Sequence, residues 1–373
     1  MGILGDFCDI LSGFPFESKF FNAEKGIPIV RIRDVKNGYS KTYYNGDYDK
    51  KFIIRYGDIL IGMDGEFNIK EWKSNDALLN QRVCKIFTTN KSINLKYIYY
   101  FLSISLKKIE DITPFVTVKH LSIKDIKNIN IILPTFDEQK RIAAILDKAT
   151  ELIALRKQQI EKLDLLVKSR FIEMFGDPVQ NEKGWPIVAL EEIAAIRIGP
   201  FGSLLHKEDY IEGGHALVNP SHIVEGKICI DSRLTISPEK YNELNAYHLE
   251  VDDIVLGRRG EMGRCAVIHS AGLLCGTGSM IIRPNKRMKP YFLQTILSSP
   301  TYKKTIEDRA VGITMMNLNV PTVSALPIPL LPLDLQENFI AILQQVDKTK
   351  STLQQSLEKL ELNYKALMQT YFG

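Results

Sequence analysis

The chain has 373 residues, of which 45% are hydrophobic and 25% charged, and its 48 Lys and Arg against 44 Asp and Glu give a net charge of +4. This balance is that of a folded globular protein and excludes a disordered chain, while the small cationic surplus is compatible with a nucleic-acid partner without establishing one. No apolar run approaches the roughly 18 residues of a membrane span, and the five cysteines form no CxxC pair, which argues against a zinc ribbon or a disulfide framework and predicts a reducing cytoplasm.

The first part of the chain, residues 1–134, is predicted to be a mixed α/β unit. The segments Ile27–Arg33 and Phe52–Ile61 have strand composition and are bounded by glycines. Leu95–Lys107 has the apolar spacing of a short helix. A last strand is predicted over Ile129–Leu133, where a proline closes the unit. This unit is predicted to be the first of two similar domains.

A long helix is predicted over residues 135–176. Its apolar residues, together with two arginines at equivalent positions, recur at alternating intervals of four and three. This is the heptad spacing of a coiled-coil seam. The seam consists of Ile142, Leu146, Ala149, Ile153, Arg156, Ile160, Leu163, Val167, Arg170 and Met174. The helix is expected to stop at Phe175-Gly176, and the polar, turn-forming residues 177–184 are predicted to be a linker.

The plan then repeats in a second mixed unit, residues 185–332. Its predicted elements are strands over Ala216–Asn219, Asp253–Leu256 and Met280–Arg283, a helix over Tyr291–Leu297 and a final strand around Pro327–Leu331. A second long helix follows over residues 333–373. Its seam consists of Phe339, Leu343, Val346, Lys350, Leu353, Leu357, Leu360, Tyr364, Leu367 and Tyr371.

The two long helices are copies of one sequence. Gln139–Gly176 aligns without a gap with Gln336–Gly373, and GFPFES at 13–18 corresponds to GPFGS at 199–203. An internal repeat of this length predicts two similar units related by a pseudo-twofold axis. The predicted fold class is therefore α+β, with two mixed α/β domains separated by two long helices that form an antiparallel coiled coil. The alternative is that each helix packs only on its own unit.

Candidate DNA-binding residues in the first unit follow its predicted strands. They are Arg31, Arg33, Lys36, Asp64, Glu66, Asn68, Gln81, Arg82, Lys119 and His120. Residues 62–68 form a loop directly after a strand, where Asn can bond adenine and a carboxylate can accept from cytosine. A tight turn whose acids bind neighbouring backbone is the other interpretation. Arg31 and Arg33 alternate along a predicted strand and are therefore expected to share a face suited to phosphate.

The second unit contributes a smaller set of candidates. They are Ser203, Asn219, Ser221, His222, Arg258, Arg259 and Glu261. Adjacent arginines are costly to bury, so Arg258 and Arg259 are both predicted to be exposed and to bind guanine or phosphate. The NPSH segment at 219–222 lacks the second proline and the aromatic residue of the amino-methyltransferase motif, and no metalloprotease, hydrolase, P-loop or nuclease motif occurs in the sequence. DNA contact without catalysis is the prediction.

Six segments and a helix-opening signature carry a family resemblance. The segments are LGDFCDILSGFPF at 4–16, GIPIVRIRDVKNG at 26–38, GDILIGMDGEF at 57–67, LLNQRVCKI at 78–86, ILPTFDEQKRIAAIL at 132–146 and WPIVALEEIA at 185–194. In the signature, a proline is followed within a few residues by Glu-Gln or Leu-Gln at the start of each long helix. In these segments the chain resembles the specificity subunits of type I restriction-modification systems.

The resemblance implies a non-catalytic subunit whose two target-recognition domains each read one half of a bipartite, asymmetric site on double-stranded DNA. It implies assembly with two methyltransferase subunits and with restriction–translocation subunits, which are expected to bind S-adenosylmethionine, ATP and Mg²⁺ in place of this chain. A helix over Gln139–Gly176 would be about 57 Å long. One turn of DNA is about 34–36 Å long, so the helix is longer than one DNA turn. The other functions considered are a component of a related phage-defence methylation system, a coiled-coil scaffold without DNA readout, and a self-contained modification enzyme.

Overall fold

A computed structural model describes residues 2–112, 119–260, 262–310 and 317–373 of the chain. The chain divides into two compact units. The first unit comprises Met1–Gln158 with Leu353–Gly373, and the second comprises Gln159–Thr352. Each unit therefore includes one half of each long helix.

The first unit starts with short strands and helices that lead into the first long helix. In chain order these are β1 (Gly2–Ile3), β2 (Asp9–Ser12), β3 (Phe21–Asn22), β4 (Ile27–Val30), α1 (Ile32–Asn37), β5 (Tyr43–Tyr44), β6 (Ile53–Ile54), β7 (Ile59–Gly62), β8 (Ile69–Glu71), β9 (Ala77–Leu79), β10 (Val83–Phe87), α2 (Leu95–Ile112), α3 (Ile123–Lys127), β11 (Asn130–Ile131) and the long helix α4 (Phe136–Phe175). Short 3-10 helices lie at Leu4–Asp6, Ser18–Phe20 and Lys50–Phe52.

Two sheets form the body of the first unit. One has the strand order β2-β10-β7-β8 and is antiparallel, and the other has the order β3-β5-β4-β9-β6, with β4 and β9 parallel. Strand β7 is buried along its whole length because its residues alternate between two cores. Ile59 and Ile61 pack with the residues of α2, whereas Leu60 packs with Trp72 and Val83.

The second unit repeats this arrangement. Its elements are β12 (Ile187–Ala189), β13 (Ala194–Ile198), β14 (Tyr210–Ile211), β15 (His215–Val218), β16 (Ile223–Val224), β17 (Lys227–Ile228), β18 (Thr235–Ile236), α5 (Pro238–Glu243), β19 (His248–Leu249), β20 (Ile254–Gly257), β21 (Cys265–Val267), β22 (Leu273–Cys275), β23 (Ser279–Pro284), α6 (Pro290–Ser298), α7 (Pro300–Asp308), α8 (Val320–Ser324), β24 (Pro327–Pro329) and the long helix α9 (Leu333–Phe372). Short 3-10 helices lie at Leu190–Glu192, Gly202–Leu204, Lys207–Asp209, Pro220–His222 and Asn245–Tyr247.

The strand orders of the two units correspond strand for strand. In the second unit they are β13-β23-β20-β21 and β14-β18-β15-β22-β19, and again one pair, β15 with β22, is parallel. The first and last strands of each recognition segment also pair, β1 with β11 and β12 with β24. The repeat predicted from the sequence is therefore a repeat of topology as well.

Two predicted strands of the first unit are wrong in part. The strand predicted over Ile27–Arg33 ends at Val30, because Asp34 accepts a hydrogen bond from the Arg31 amide (3.0 Å) and caps the short helix α1. The strand predicted over Phe52–Ile61 is two strands, β6 and β7. A turn with Gly57 at φ 91° separates them.

The heptad seam of both long helices is confirmed. Every seam residue is buried or half-buried, whereas most of the residues between the seam positions in the central turns are exposed. Within the first unit, Lys157 Nζ lies 2.8 Å from Glu361 Oε1, and within the second, Lys350 Nζ lies 2.8 Å from Asp164 Oδ1. In the first unit Ile142 and Leu146 share a core with Met368, and in the second the rings of Phe171 and Phe339 lie 5.4 Å apart. Taken with the ion pair of the same unit, each contact shows that the two helices run antiparallel there.

A buried glutamine near the start of each long helix joins it to the body of its unit. Gln139 Oε1 accepts from the Asn94 amide (2.9 Å), and Gln139 Nε2 donates to the carbonyls of Ser92 (3.3 Å) and Pro134 (3.0 Å). Gln336 makes the equivalent three bonds in the second unit. The Glu-Gln and Leu-Gln signature seen in the sequence thus satisfies backbone groups that would otherwise be buried without partners.

The five cysteines are all free, as their scattered spacing predicts. Four are buried, and burial raises the pKa of the Cys84 and Cys265 thiols to about 12, so these side chains pack as small apolar groups. Cys229 is exposed. Among the described residues no helix is long and apolar enough to cross a membrane.

Candidate nucleic-acid interface

In the first unit the candidate interface is built on the loop between β7 and β8, residues 63–68, here named the first-unit hairpin loop. The Met63 amide donates to the Arg82 carbonyl (2.9 Å), and the Gly65 amide donates to the Lys119 carbonyl (2.8 Å). Gly65 has φ 71°, which a residue with a Cβ rarely adopts. Three segments far apart in the sequence are thereby held together at the end of one sheet.

Three of the predicted DNA-binding side chains meet at this loop. Asp64 Oδ1 lies 2.6 Å from His120 Nδ1, and Asp64 Oδ2 lies 3.3 Å from Arg82 Nε. His120 and Arg82 are exposed, and Asp64 is half-buried between them. The sequence places these residues in three separate segments and gives no sign that they touch.

A second charged pair lies on the same loop. Lys36 Nζ is 3.0 Å from Glu66 Oε2, and Asn68 Nδ2 donates to the same oxygen (3.3 Å). The hydrogen bonds from Lys36 and Asn68, in that order, hold the pKa of Glu66 below its usual value. Arg33 is exposed on the same short helix as Lys36, three residues earlier. Lys36, Glu66 and Asn68 thus join the set at the loop.

Of the remaining first-unit candidates, Gln81 is exposed next to Arg82. Arg31 and Lys119 are half-buried and therefore less accessible than Gln81. Arg31 does not share a strand face with Arg33, because it precedes helix α1, and its guanidinium is mostly buried beside Asp34 and Thr42. That prediction is wrong. Lys119 is half-buried, and its ammonium donates to a backbone carbonyl of α2.

The equivalent loop of the second unit lies between β20 and β21, and residues 258–260 and 262–264 of it are described. The Arg258 amide donates to the Gly278 carbonyl (3.0 Å), and the Leu318 amide donates to the Arg258 carbonyl (3.0 Å). The same two bonds are made by Met63 in the first unit, with Arg82 and Leu121. Arg258 therefore occupies the inward-facing position that a buried methionine occupies in the first unit.

The prediction that both arginines are exposed is wrong for Arg258, of which only 5% is exposed. Its Nε donates to the Thr277 carbonyl (3.3 Å) and its Nη1 to Asn317 Oδ1 (3.2 Å), so two half-buried residues from separate segments supply the acceptors that the guanidinium needs. Burial, and then the charge of Arg259, lower the pKa of Arg258. Arg259 is exposed beside Gly260, as predicted.

The other second-unit candidates differ in how far their side chains are exposed. Ser203 and Ser221 are exposed, and Asn219 is half-buried. His222 is buried, and its Nδ1 lies 2.8 Å from the Leu217 carbonyl, so its side chain is held inside the unit and its contact with DNA stays a prediction that this burial disfavours. Glu261 lies outside the described residues.

Sequence reasoning missed two exposed aromatic residues, Phe14 and Phe201, of which 46% and 61% are exposed. They belong to the matched segments GFPFES and GPFGS. The preceding Gly13 lies so close to the turn before β10 that a Cβ there would come within 2.0 Å of backbone, and Gly199 has the same constraint at 2.1 Å. The Gln81 amide donates to the Phe14 carbonyl (2.9 Å), which places Phe14 beside the candidate residues. The repeated glycine–aromatic pattern was the signal that could have identified them.

The described residues contain no group of three or more His, Cys, Asp or Glu side chains that could hold a metal ion. What the structure does offer is the same exposed loop twice, with different charges. A carboxylate between an arginine and a histidine lies in the first unit, and an exposed arginine beside a buried one lies in the second.

These features describe a protein with two α+β recognition units of one topology, each bearing a charged loop at the end of a sheet. The family described as type I restriction modification DNA specificity domain matches residues 2–165 and 182–362. The chain therefore belongs to this family and carries its domain twice. It is a DNA specificity protein of the type I restriction-modification class.

Relatives and solved structures agree with this assignment. The chain is 27% identical over 365 residues to the type I restriction enzyme EcoBI specificity subunit of Escherichia coli, covering 91% of the chain and 77% of that protein. It is 25% identical over 342 residues to the MjaVIII specificity subunit of Methanocaldococcus jannaschii, covering 86% and 79%. The crystal structure of the type I S subunit from M. genitalium shares the fold with a TM-score of 0.63 at 18% identity, covering 100% of this chain and 95% of that one.

Proposed function

We propose that the chain is the non-catalytic specificity subunit of a type I restriction-modification complex and reads a bipartite, asymmetric DNA site, one half with each unit. The observation that carries this proposal is the charge difference between two loops of equal topology. Asp64, Arg82 and His120 meet at the first loop, whereas Arg258 and Arg259 lie on the second. Different side chains at equivalent positions recognise different bases.

The chemistry is proposed to come from partner subunits. Two methyltransferase subunits would bring S-adenosylmethionine and modify adenine, and restriction–translocation subunits would bring ATP and Mg²⁺, all in the cytoplasm. Residues 1–134 and 185–332 are proposed as the two target-recognition domains, with the helical segments 135–176 and 333–373 as spacers and residues 177–184 as a linker. Support for these boundaries comes from the two long helices, which begin at Phe136 and Leu333.

Replacing Arg259 with alanine should weaken recognition of one half-site and leave the other unchanged. The side chain is exposed, so its removal deletes a DNA-binding group without exposing a core. Where that group binds a guanine, its removal lowers discrimination at one base pair by about 1–3 kcal/mol. The measurement is binding of the assembled complex to duplexes in which either half-site is scrambled.

Arg258→Ala is the matched variant, because it removes an arginine from the same loop at a buried position. It should lower the free energy of unfolding by about 2 kcal/mol, since the Thr277 carbonyl and Asn317 Oδ1 both lose a charged donor. Equal loss at both half-sites in Arg259→Ala would contradict separate reading by the two units. Retention of wild-type readout in that variant would contradict a role for the exposed arginine.

The outer face of the long helices is proposed to bind the methyltransferase partners. Leu165 and Leu166 lie outside the heptad seam and are exposed in the second unit, and Leu152 and Leu155 are exposed in the first. Exposed leucines repeated along one helix are typical of a binding surface.

Replacing Leu165 and Leu166 together with glutamate should abolish co-purification of the methyltransferase subunits without lowering the unfolding temperature, because neither residue lies in the seam. Sedimentation of the mixed subunits gives the stoichiometry. Gln158→Glu with Gln159→Glu changes exposed residues of the same helix and should leave assembly intact. Normal assembly of the leucine variant would show that the methyltransferase subunits bind a different surface of the chain.

A further inference from the structure

The carboxylate of Asp64 lies between the Arg82 guanidinium and the His120 imidazole, two side chains from distant segments, at the centre of the first-unit hairpin loop. We propose that Asp64 is a positioning residue that holds the Arg82 guanidinium for binding a guanine in the half-site read by the first unit. This inference rests on the proposed function and deepens it. It replaces the interpretation in which the loop carboxylate itself accepts a hydrogen bond from cytosine.

The geometry leaves the reading edge of Arg82 available. Asp64 Oδ2 lies 3.3 Å from Arg82 Nε, so the carboxylate takes the side of the guanidinium and leaves the two terminal amino groups. Those two groups form the fork that matches O6 and N7 of guanine in the major groove. The Arg82 side chain is 56% exposed, against 24% for Asp64, so the arginine is the more accessible partner for DNA.

The second oxygen of Asp64 is also engaged. Asp64 Oδ1 lies 2.6 Å from His120 Nδ1, which leaves Nε2 as the ring nitrogen available to a ligand. A lone carboxylate facing phosphates would be repelled, whereas one flanked by two cationic or polar donors has its charge offset. Asp64 therefore has both oxygens occupied within the protein, as expected of a residue that orients its neighbours.

The backbone at Arg82 supports a role for its side chain. Arg82 has φ 71°, a left-handed conformation that costs free energy for any residue with a Cβ. In the second unit the residue that accepts the equivalent backbone bond is Gly278, which does not adopt a left-handed φ, so the strain belongs to the first-unit turn. A strained backbone retained at an exposed arginine supports a role for its guanidinium.

The test is DNA binding by the complete assembly to duplexes with single base-pair changes in each half-site. Arg259→Ala identifies the half-site of the second unit, and the other half belongs to the first. Arg82→Ala should reduce preference at one guanine by about 5- to 150-fold. Asp64→Asn should reduce preference at the same base pair by less, and the double variant should resemble Arg82→Ala because the two side chains act as one unit.

Arg82→Gly separates function from stability. It should lose the same base preference while keeping or raising the unfolding temperature, because glycine relieves the left-handed strain. The matched control is Asp231→Asn, since Asp231 also forms an ion pair with an arginine, and its Oδ1 accepts from the Nε of Arg233 at 3.0 Å in the second unit. This control should leave the first half-site unchanged.

Several results would overturn the inference while leaving the proposed function intact. In one, Arg82→Ala weakens binding to all sequences equally and lowers its salt dependence, which identifies a phosphate contact. In another, Asp64→Asn changes preference at a different base pair, which makes Asp64 a reader itself. Unchanged readout in Arg82→Ala would equally reject the role. Absence of any half-site preference in the wild-type assembly would instead contradict the proposed function.

Discussion

Replacing Gln336 with leucine should lower the free energy of unfolding by about 3 kcal/mol or more. Gln336 is fully buried, and its Oε1 accepts from the Lys289 amide (2.8 Å). Its Nε2 donates to the carbonyls of Arg287 (3.2 Å) and Leu331 (2.8 Å). Leucine leaves three backbone groups without partners, and each costs about 1–3 kcal/mol. The measurement is urea unfolding, with hydrogen exchange of peptides covering α6 to localise the effect to the second unit.

The chain offers two comparisons for this variant. Gln345→Leu makes the same chemical change at an exposed position of the same helix and should be nearly neutral. Gln139→Leu removes the equivalent three bonds in the first unit and should destabilise that unit by a similar amount. Equal stability of the Gln336 and Gln345 variants would show that the buried glutamine does not fix the helix to its unit.

What the sequence predicts well is what depends on periodicity. The alternation of three and four predicts both seams, and each seam residue is shielded, including the polar Arg156, Arg170 and Lys350. Lys350 shows how a cation is tolerated there, because its ammonium reaches Asp164 on the partner helix. Repetition of sequence likewise predicts repetition of topology, since equal patterns of apolar residues build equal sheets.

What the sequence does not predict is which side chain turns inward. Arg258 is buried because Thr277 and Asn317, both distant in the chain, supply its acceptors, and no local pattern encodes that meeting. His222 differs, because it is buried through the Leu217 carbonyl only five residues earlier, at the end of the preceding strand. The convergence of Asp64, Arg82 and His120 arises only when three segments meet at the end of one sheet. The secondary-structure propensities of neighbouring residues do not predict such tertiary contacts.

Lengthening both long helices by one heptad should retain both half-site sequences and widen the gap between them by about three base pairs, because seven helical residues add about 10.5 Å. The insertions belong between Lys157 and Asp164 in α4 and between Lys350 and Glu361 in α9. There they leave the ion pair of each unit and its buried residues untouched. Seven residues also keep the alternation of three and four, so the seam continues through the insertion. Mapping of methylated adenine in cells that carry the system shows the new site directly.

Two further insertions test whether helix length alone sets the gap between the half-sites. An insertion in α4 alone puts the two seams out of register between the ion pairs, and should lower the unfolding temperature and the methylation of any site. Four residues in both helices interrupt the heptad pattern and should act in the same way. If the doubly lengthened chain folds and the assembled complex methylates the original site, helix length does not set the gap. If its half-site sequences change as well, the insertion has altered the recognition units, because a longer spacer alone changes only the distance at which two unchanged loops meet DNA.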